Sequence, residues 1–142
     1  MSKSNTFEND LLLLIFNNTD IANIGDAGGL QNSAAAGDLY VALHTADPGE
    51  AGTAATSEAT YGSYDRVAVA RSGAGWTVAG NSATNAALVQ FPECTSGSET
   101  ITHVSITVGG TPTTADKILY SGALSASRSV SSGIQPQFAA SA

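Results

Sequence analysis

The residues of this chain whose types best suit chemistry are His44 and His103, each with Ser, Thr or Asp residues nearby in sequence. An imidazole beside a hydroxyl and a carboxylate is the machinery of nucleophilic hydrolysis. A triad, however, is a spatial arrangement, and a chain this rich in Ser and Thr supplies such neighbours by chance. Both histidines fall within or at the end of expected strands. His44 is therefore expected to hydrogen-bond near a turn and His103 to lie on a strand face, and no catalytic residue is assigned.

Metal and nucleotide chemistry find less support. No His-x-x-x-His, His-Glu-x-x-His or Asp-x-Asp-x-Asp spacing occurs, although those are the spacings that converge ligands on zinc or calcium. The glycines at 28–29, 73, 75 and 109–110 match neither a phosphate loop ending in Gly-Lys nor a strand-to-helix Gly-x-Gly-x-x-Gly, so they are expected in turns. Cys94 is the single cysteine. It excludes an intrachain disulfide and any zinc cluster built on paired cysteines. No cofactor and no metal are expected. Tyr61, Tyr64 and Trp76 would suit a sugar-stacking platform, but a lone Trp in a small β-domain more often anchors a core or an interface. Arg66 is expected to pair with its neighbour Asp65, an ion pair worth about 0–1 kcal/mol if exposed.

The elements that would position these groups read as follows. Phe7, Leu11, Leu14 and Ile15 recur on one face of a helix over residues 5–16, with Asn5 and Glu8 as a capping pair. Ile21 and Ile24 extend the apolar stripe into a short helical turn before the glycines at 25 and 28–29. So short a helix is marginal alone and needs a partner surface, in the domain or on a neighbour. After Gly37 the pattern turns to β, with strands expected at 39–44, 64–70, 75–79, 86–91, 101–108, 117–122 and 134–138. In the last but two of these, Val104, Ile106 and Val108 share a face while Ile101 falls on the other, which a bulge or a doubly buried strand would explain. Asp47-Pro48-Gly49 is a turn that opens a long small-residue loop over 45–63, expected to be an arm touching a neighbour. The segment 125–132 reads as a connection. The expected fold is mainly β: a single-domain β-sandwich, jelly-roll-like or Ig-like, over 37–142, preceded by the helix and linker of 1–36.

Composition narrows the function classes. Charged residues make up 12% of the 142-residue chain against 42% hydrophobic, where soluble domains average about a quarter charged. Surfaces that sparse in charge suit burial against other subunits. The first sixty residues hold Glu8, Asp10, Asp20, Asp26, Asp38, Asp47, Glu50 and Glu58 against Lys3 alone, while from 61 onward four acids balance four bases. With no basic patch to neutralise phosphates, direct nucleic-acid binding is not expected. The apolar run at 11–16 is far below the ~20 residues that span a bilayer, so no membrane partner is expected. The acidic residues before that run also disfavour a signal peptide.

The ordered phrases Asn17-Asn18-Thr19, Leu39-Tyr-Val-Ala-Leu-His-Thr-Ala-Asp-Pro-Gly49, Tyr64-Asp-Arg-Val-Ala-Val69, Gly75-Trp-Thr-Val78, Phe91-Pro92 and Thr102-His-Val-Ser105 are similar to small tailed-phage proteins known as tail fibre proteins. They also resemble β-rich capsid cement or decoration proteins. The resemblance implies a virion structural protein without catalytic residues, made in the host bacterial cytoplasm and placed first on the outer capsid surface. There it would form a dimer or trimer and bridge the major capsid protein. A tail or fibre-associated subunit is the alternative, and a host-glycan module using Trp76, Tyr61 and Tyr64 beside a calcium-capable acidic loop is the alternative of another class. Interface candidates are Phe7, Leu11, Leu14, Ile15, Asp47, Pro48, Glu50, Glu58, Tyr61, Tyr64, Arg66 and Trp76.

Overall fold

The computed structural model describes all residues, Met1–Ala142. The chain is mainly β, with open sheets and one short N-terminal helix, consistent with a β-sandwich. The elements in chain order are α1 (Asn5–Asn17), β1 (Asp38–His44), β2 (Val67–Ala70), β3 (Trp76–Ala79), β4 (Ser82–Asn85), β5 (Val89–Gln90), β6 (Ser98–Thr107), β7 (Ile118–Ser131) and β8 (Gln137–Phe138). Four of them form one sheet in the order β2-β1-β6-β7, while β3-β4 and β5-β8 are separate two-stranded pairs. The chain forms two compact bodies, one from Met1–Asp38, Val69–Leu88 and Ala139–Ala142, the other from Leu39–Ala68 and Val89–Phe138.

In the first body α1 packs on β3 and β4. Ser4 caps the helix: its Oγ accepts from the Phe7 N–H at 3.3 Å, and its carbonyl accepts from the Glu8 N–H. The cap therefore sits one residue before the Asn5 expected from sequence. A Ser hydroxyl one step earlier satisfies the same orphan donors. At the other end Asn18 takes a left-handed conformation, φ 55°, and its N–H returns to the Leu13 carbonyl. The helix has no basic residue in its last turn, yet a cation reaches it from far along the chain. The Arg71 guanidinium donates to the carbonyls of Ile15 and Leu14 and to Ser33 Oγ, which places positive charge where the helix dipole is negative. Phe16 meets Trp76 with ring centroids 4.8 Å apart. Asn85, buried, donates from Nδ2 to the Ala87 and Ala139 carbonyls and accepts the Ala142 N–H at Oδ1, which ties the C-terminal residues to β4.

Two expectations change here. Ile21 does not continue the helix; its N–H and carbonyl exchange hydrogen bonds with Leu30 at 3.0 and 2.8 Å, closing a small hairpin. The apolar stripe is used by a bridge because Asp26 Oδ1 accepts from the Gly28 and Gly29 N–H groups and turns the chain. Strand β4 was absent from the expected set, since Ser-Ala-Thr-Asn carries no apolar alternation, and only its pairing to Trp76–Ala79 makes it a strand.

The second body is built around β1, β6 and β7, all antiparallel neighbours. β1 is buried on both faces from Val41 to His44. Its register sets Val41 opposite Ile106 and Leu43 opposite Val104 on one face, and Ala42 opposite Ser105 and His44 opposite His103 on the other. The expected irregularity of β6 is real: between Ile101 and His103 the register of β7 jumps from Arg128 to Ala123, so residues 124–127 stand opposite Thr102 alone. Of the segment 125–132, expected as a connection, residues 125–131 are therefore the second half of a fourteen-residue strand. Its low-complexity Ser-rich composition hid it, because strand propensity is a weak guide where pairing decides. Tyr61, Tyr64, Phe91 and Phe138 form a chain of ring contacts through this body.

Replacing Arg71 with Ala removes three hydrogen bonds and the charge at the helix C-terminus. The expected cost is about 1–2 kcal/mol of stability, read as a lower urea midpoint with faster amide exchange at residues 13–17, while exchange in β6 stays unchanged.

Candidate functional site

The densest set of chemistry-bearing side chains lies under the loop 45–63 in the second body, and it begins with a turn. Asp47 Oδ1 accepts from the Gly49 N–H, and Gly49 takes φ 69°, the left-handed conformation that a Pro-Gly turn needs. From there the segment folds back on β1 instead of extending as an arm. Thr45 N–H donates to Ser57 O and Ala59 N–H to Leu43 O, each at 2.8 Å, and Ala54 N–H reaches Asp116 O. Pro48, Ala54, Glu58, Ala59 and Tyr61 are buried as a result. A long loop of small residues can pack this closely because its backbone donors find backbone acceptors within the fold.

Arg66 sits at the centre. Its Nε donates to Glu58 Oε1 at 2.7 Å and Nη2 to Glu58 Oε2 at 3.0 Å; Nη1 donates to Asp116 Oδ2 at 2.7 Å and to Gly109 O, and Nη2 also donates to Thr114 O. All five guanidinium N–H groups are thereby used. Glu58 is equally full, since Oε1 also accepts from the Tyr64 hydroxyl at 3.1 Å and Oε2 from the Thr113 N–H at 2.8 Å. The Arg66 and Glu58 side chains are 0% and 2% exposed. The expected pairing of Arg66 with Asp65 is corrected: Asp65 Oδ1 accepts only the Arg66 backbone N–H, and the guanidinium turns inward to carboxylates eight and fifty residues away. Burial opposes the Arg66 charge, but the hydrogen bonds and attraction of Glu58, then Asp116, outweigh it and raise its pKa. Burial raises Tyr64 far above a free phenol, with Glu58 adding to the effect, and burial lifts Tyr61 to about 12.

The histidine nearest chemistry is His44, fully buried at the end of β1. Its Nδ1 lies 2.9 Å from the Thr56 carbonyl, which can only accept, so Nδ1 carries the proton and Nε2 receives the Ser105 hydroxyl at 2.8 Å. That is the inner geometry of a general-base pair, but Ser105 is 1% exposed and His44 is 0% exposed. The pair tethers the loop to β6. Burial lowers the His44 pKa below 6.5; the Thr56 bond and Glu58 act upward, and Arg66 and His103 downward. His103 is half-buried, 2.8 Å from Thr102 Oγ1. No group of three or more His, Cys, Asp or Glu is arranged to hold a metal, and Cys94 is buried with its thiol donating to Ser96 O.

The other sequence candidates separate by exposure. Trp76 and Tyr61 are buried, the latter donating its hydroxyl to Pro92 O, so neither offers a ring face to a sugar. Tyr64 is half-buried beside Glu58 and accepts the Leu43 N–H at its hydroxyl. Asp47 and Glu50 are exposed on the loop, and Phe7, Leu11, Leu14 and Ile15 are half-buried along α1. The structure thus brings Glu58, Tyr64 and Arg66 together by hydrogen bonds, sets Tyr61 against the Tyr64 ring, and gives the other candidates no hydrogen bond to this group. Sequence reasoning missed Asp116, Thr113 and Ser105, which join the site from more than forty residues away; only their polar character on strand or turn positions hinted at it.

Two outcomes test this network. Arg66→Ala leaves Glu58 buried without its cation and should cost about 3–5 kcal/mol in denaturant unfolding, whereas Asp65→Asn should change little. His44 is neutral when folded and charges more readily when unfolded, so the unfolded chain takes up the extra proton. Its contribution is present above pH 6.5 and is lost as pH falls through the lowered folded-state pKa. The urea midpoint should therefore drop between about pH 7 and about pH 5, and His44→Gln should flatten that part of the profile.

A family model described as podophage GP4 fiber I protein gp80 matches residues 2–142. No curated protein matches the sequence.

Proposed function

Belonging to the podophage GP4 fiber I protein gp80 family along residues 2–142, the chain is a phage virion structural protein, and we propose that it serves without enzymatic activity as a subunit of the fibre apparatus. The observation that carries the non-enzymatic part is the saturation of the buried groups. Arg66 and Glu58 spend their hydrogen-bonding capacity on each other, on Asp116 and Tyr64 and on the backbone, and His44 spends its own on the Thr56 carbonyl and the Ser105 hydroxyl, inside a body whose outer residues are mostly uncharged. Such a network holds a loop in one shape; it does not present a nucleophile to solvent. The family description supports the fibre placement.

Capsid cement is the second reading. The low charge, together with an α1 helix whose Leu11, Leu12, Leu13, Leu14 and Ile15 are all only half-buried, suits any subunit present in many identical contacts. A cement subunit would bridge the major capsid protein, each copy favouring the closed shell by mass action. Both readings include contacts between copies of the chain.

Quantitative mass spectrometry of purified particles, with antibody labelling under the electron microscope, separates them. The fibre reading expects label at the tail or fibres and at most a few dozen copies. On the order of hundreds of copies spread over the shell would replace it with cement, following the repetition of closed symmetric assemblies.

A further inference from the structure

We infer that α1 is a pairing helix for a second copy of this chain, the two helices lying antiparallel with Leu11 of each against Leu14 of the other. This deepens the assembly reading above and rests on it. Two contacts fix which way the helix is turned: Asn9 Nδ2 donates to the Gly80 carbonyl, between β3 and β4, at 2.7 Å, and the Phe16 ring meets Trp76 of β3. At about 3.6 residues per turn, positions 9 and 16 lie on one side of the helix. Phe7, Leu11 and Leu14 then fall on the opposite side, with the four-three spacing of a helix-helix seam. The run from Leu11 to Ile15 is apolar all the way round the helix, the pattern of an enclosed helix, yet all five residues are only half-buried.

The charges at the two ends of this helix identify its occupant. Arg71 donates to the carbonyls of Leu14 and Ile15 and to Ser33 Oγ, which uses three of its five N–H groups, and no carboxylate of the chain pairs with it. Glu8, in the first turn, is half-buried and has neither an ion pair nor a side-chain hydrogen bond. Arg66, whose five N–H groups are all used and whose charge is met by two carboxylates, shows what a satisfied cation looks like in this fold. A half-buried cation and a half-buried carboxylate, at opposite ends of one apolar helix, are unmatched within the chain. Two antiparallel copies match them.

With Leu11 level with Leu14 of the second copy, Glu8 comes level with Asn17 of that copy, in the turn that Arg71 caps. A two-fold axis makes this pairing twice and sets the positive N-terminal end of each helix beside the negative C-terminal end of the other. A parallel pair would stack Glu8 on Glu8 and Asp10 on Asp10, so the second copy has one favoured direction. A basic helix of another protein would meet Glu8 and leave Arg71 without a counter-charge; a second copy meets both. One thirteen-residue helix per copy is a small surface against the ~1,200–2,000 Å² of a stable complex. The pairing is therefore weak in free solution and strengthens where copies are held side by side in a particle.

Analytical ultracentrifugation of the full chain tests this. The wild type should show a monomer–dimer equilibrium that tightens as salt is lowered, because the Glu8–Arg71 attraction is screened. Glu8→Gln should weaken dimerisation by roughly two- to tenfold and remove most of its salt dependence. Leu11→Glu, which sets a carboxylate in the seam, should weaken it by at least about tenfold, and Thr77→Lys at an exposed position of β3 should leave it unchanged. Circular dichroism and melting midpoints establish that each variant is folded; if Leu11→Glu is not, Glu8→Gln decides, since Glu8 makes no side-chain hydrogen bond in the chain. A wild type that stays monomeric up to about 1 mM, or association that strengthens with salt or ignores Glu8→Gln, overturns the proposal. Particle labelling that finds the chain outside the fibres would overturn the fibre reading and leave this pairing standing.

Discussion

The fold of the second body depends on one buried charge: the Arg66 guanidinium. A cation inside a protein is stable only if its donors are met and its charge balanced, and Arg66 achieves this by collecting Glu58 from the long loop and Asp116 with two carbonyls from the 109–116 turn. Three stretches of chain distant in sequence are thereby held at fixed distances. Glu58, satisfied in turn by Tyr64 and Thr113, cannot shift without leaving a carboxylate oxygen bare. Such networks contribute specificity of shape more surely than they contribute net stability.

His44 repeats the same logic in neutral form. It connects the loop to β6 through Thr56 and Ser105, so a residue whose type suggested catalysis is explained by satisfaction of buried polar groups. This also accounts for the polar inner face of β6. Ser105 and Thr107 can be buried because His44 and the Lys117 carbonyl bond them, leaving the more apolar side of the strand incompletely covered.

A virion structural protein suits that distribution. Its interior is specified by hydrogen bonds and ion pairs, while half-covered apolar residues lie along α1 at Leu11–Ile15 and on β6 at Val104 and Ile106. In a particle with many copies, burial of such surfaces between subunits adds to the free energy of assembly instead of to that of the single chain.

Much of the framework was determined by the sequence alone. The α1 helix follows from the spacing of Phe7, Leu11, Leu14 and Ile15, β1 from the alternation at 39–44, and the Asp47-Pro48-Gly49 turn from residues with pre-set or permissive φ. These are local preferences, legible because each depends on a few neighbouring residues. The tertiary structure alone decided the partner of Arg66, the fold-back of the loop, the pairing of β4 and the second half of β7, and the cap that Arg71 places on a helix 56 residues before it. Each depends on groups brought together from distant positions, and hydrogen-bond donors find whichever acceptor the fold delivers. Asp65 stood next to Arg66 in the chain; Glu58 and Asp116 stood next to it in space, and in a buried site proximity in space determines the pairing.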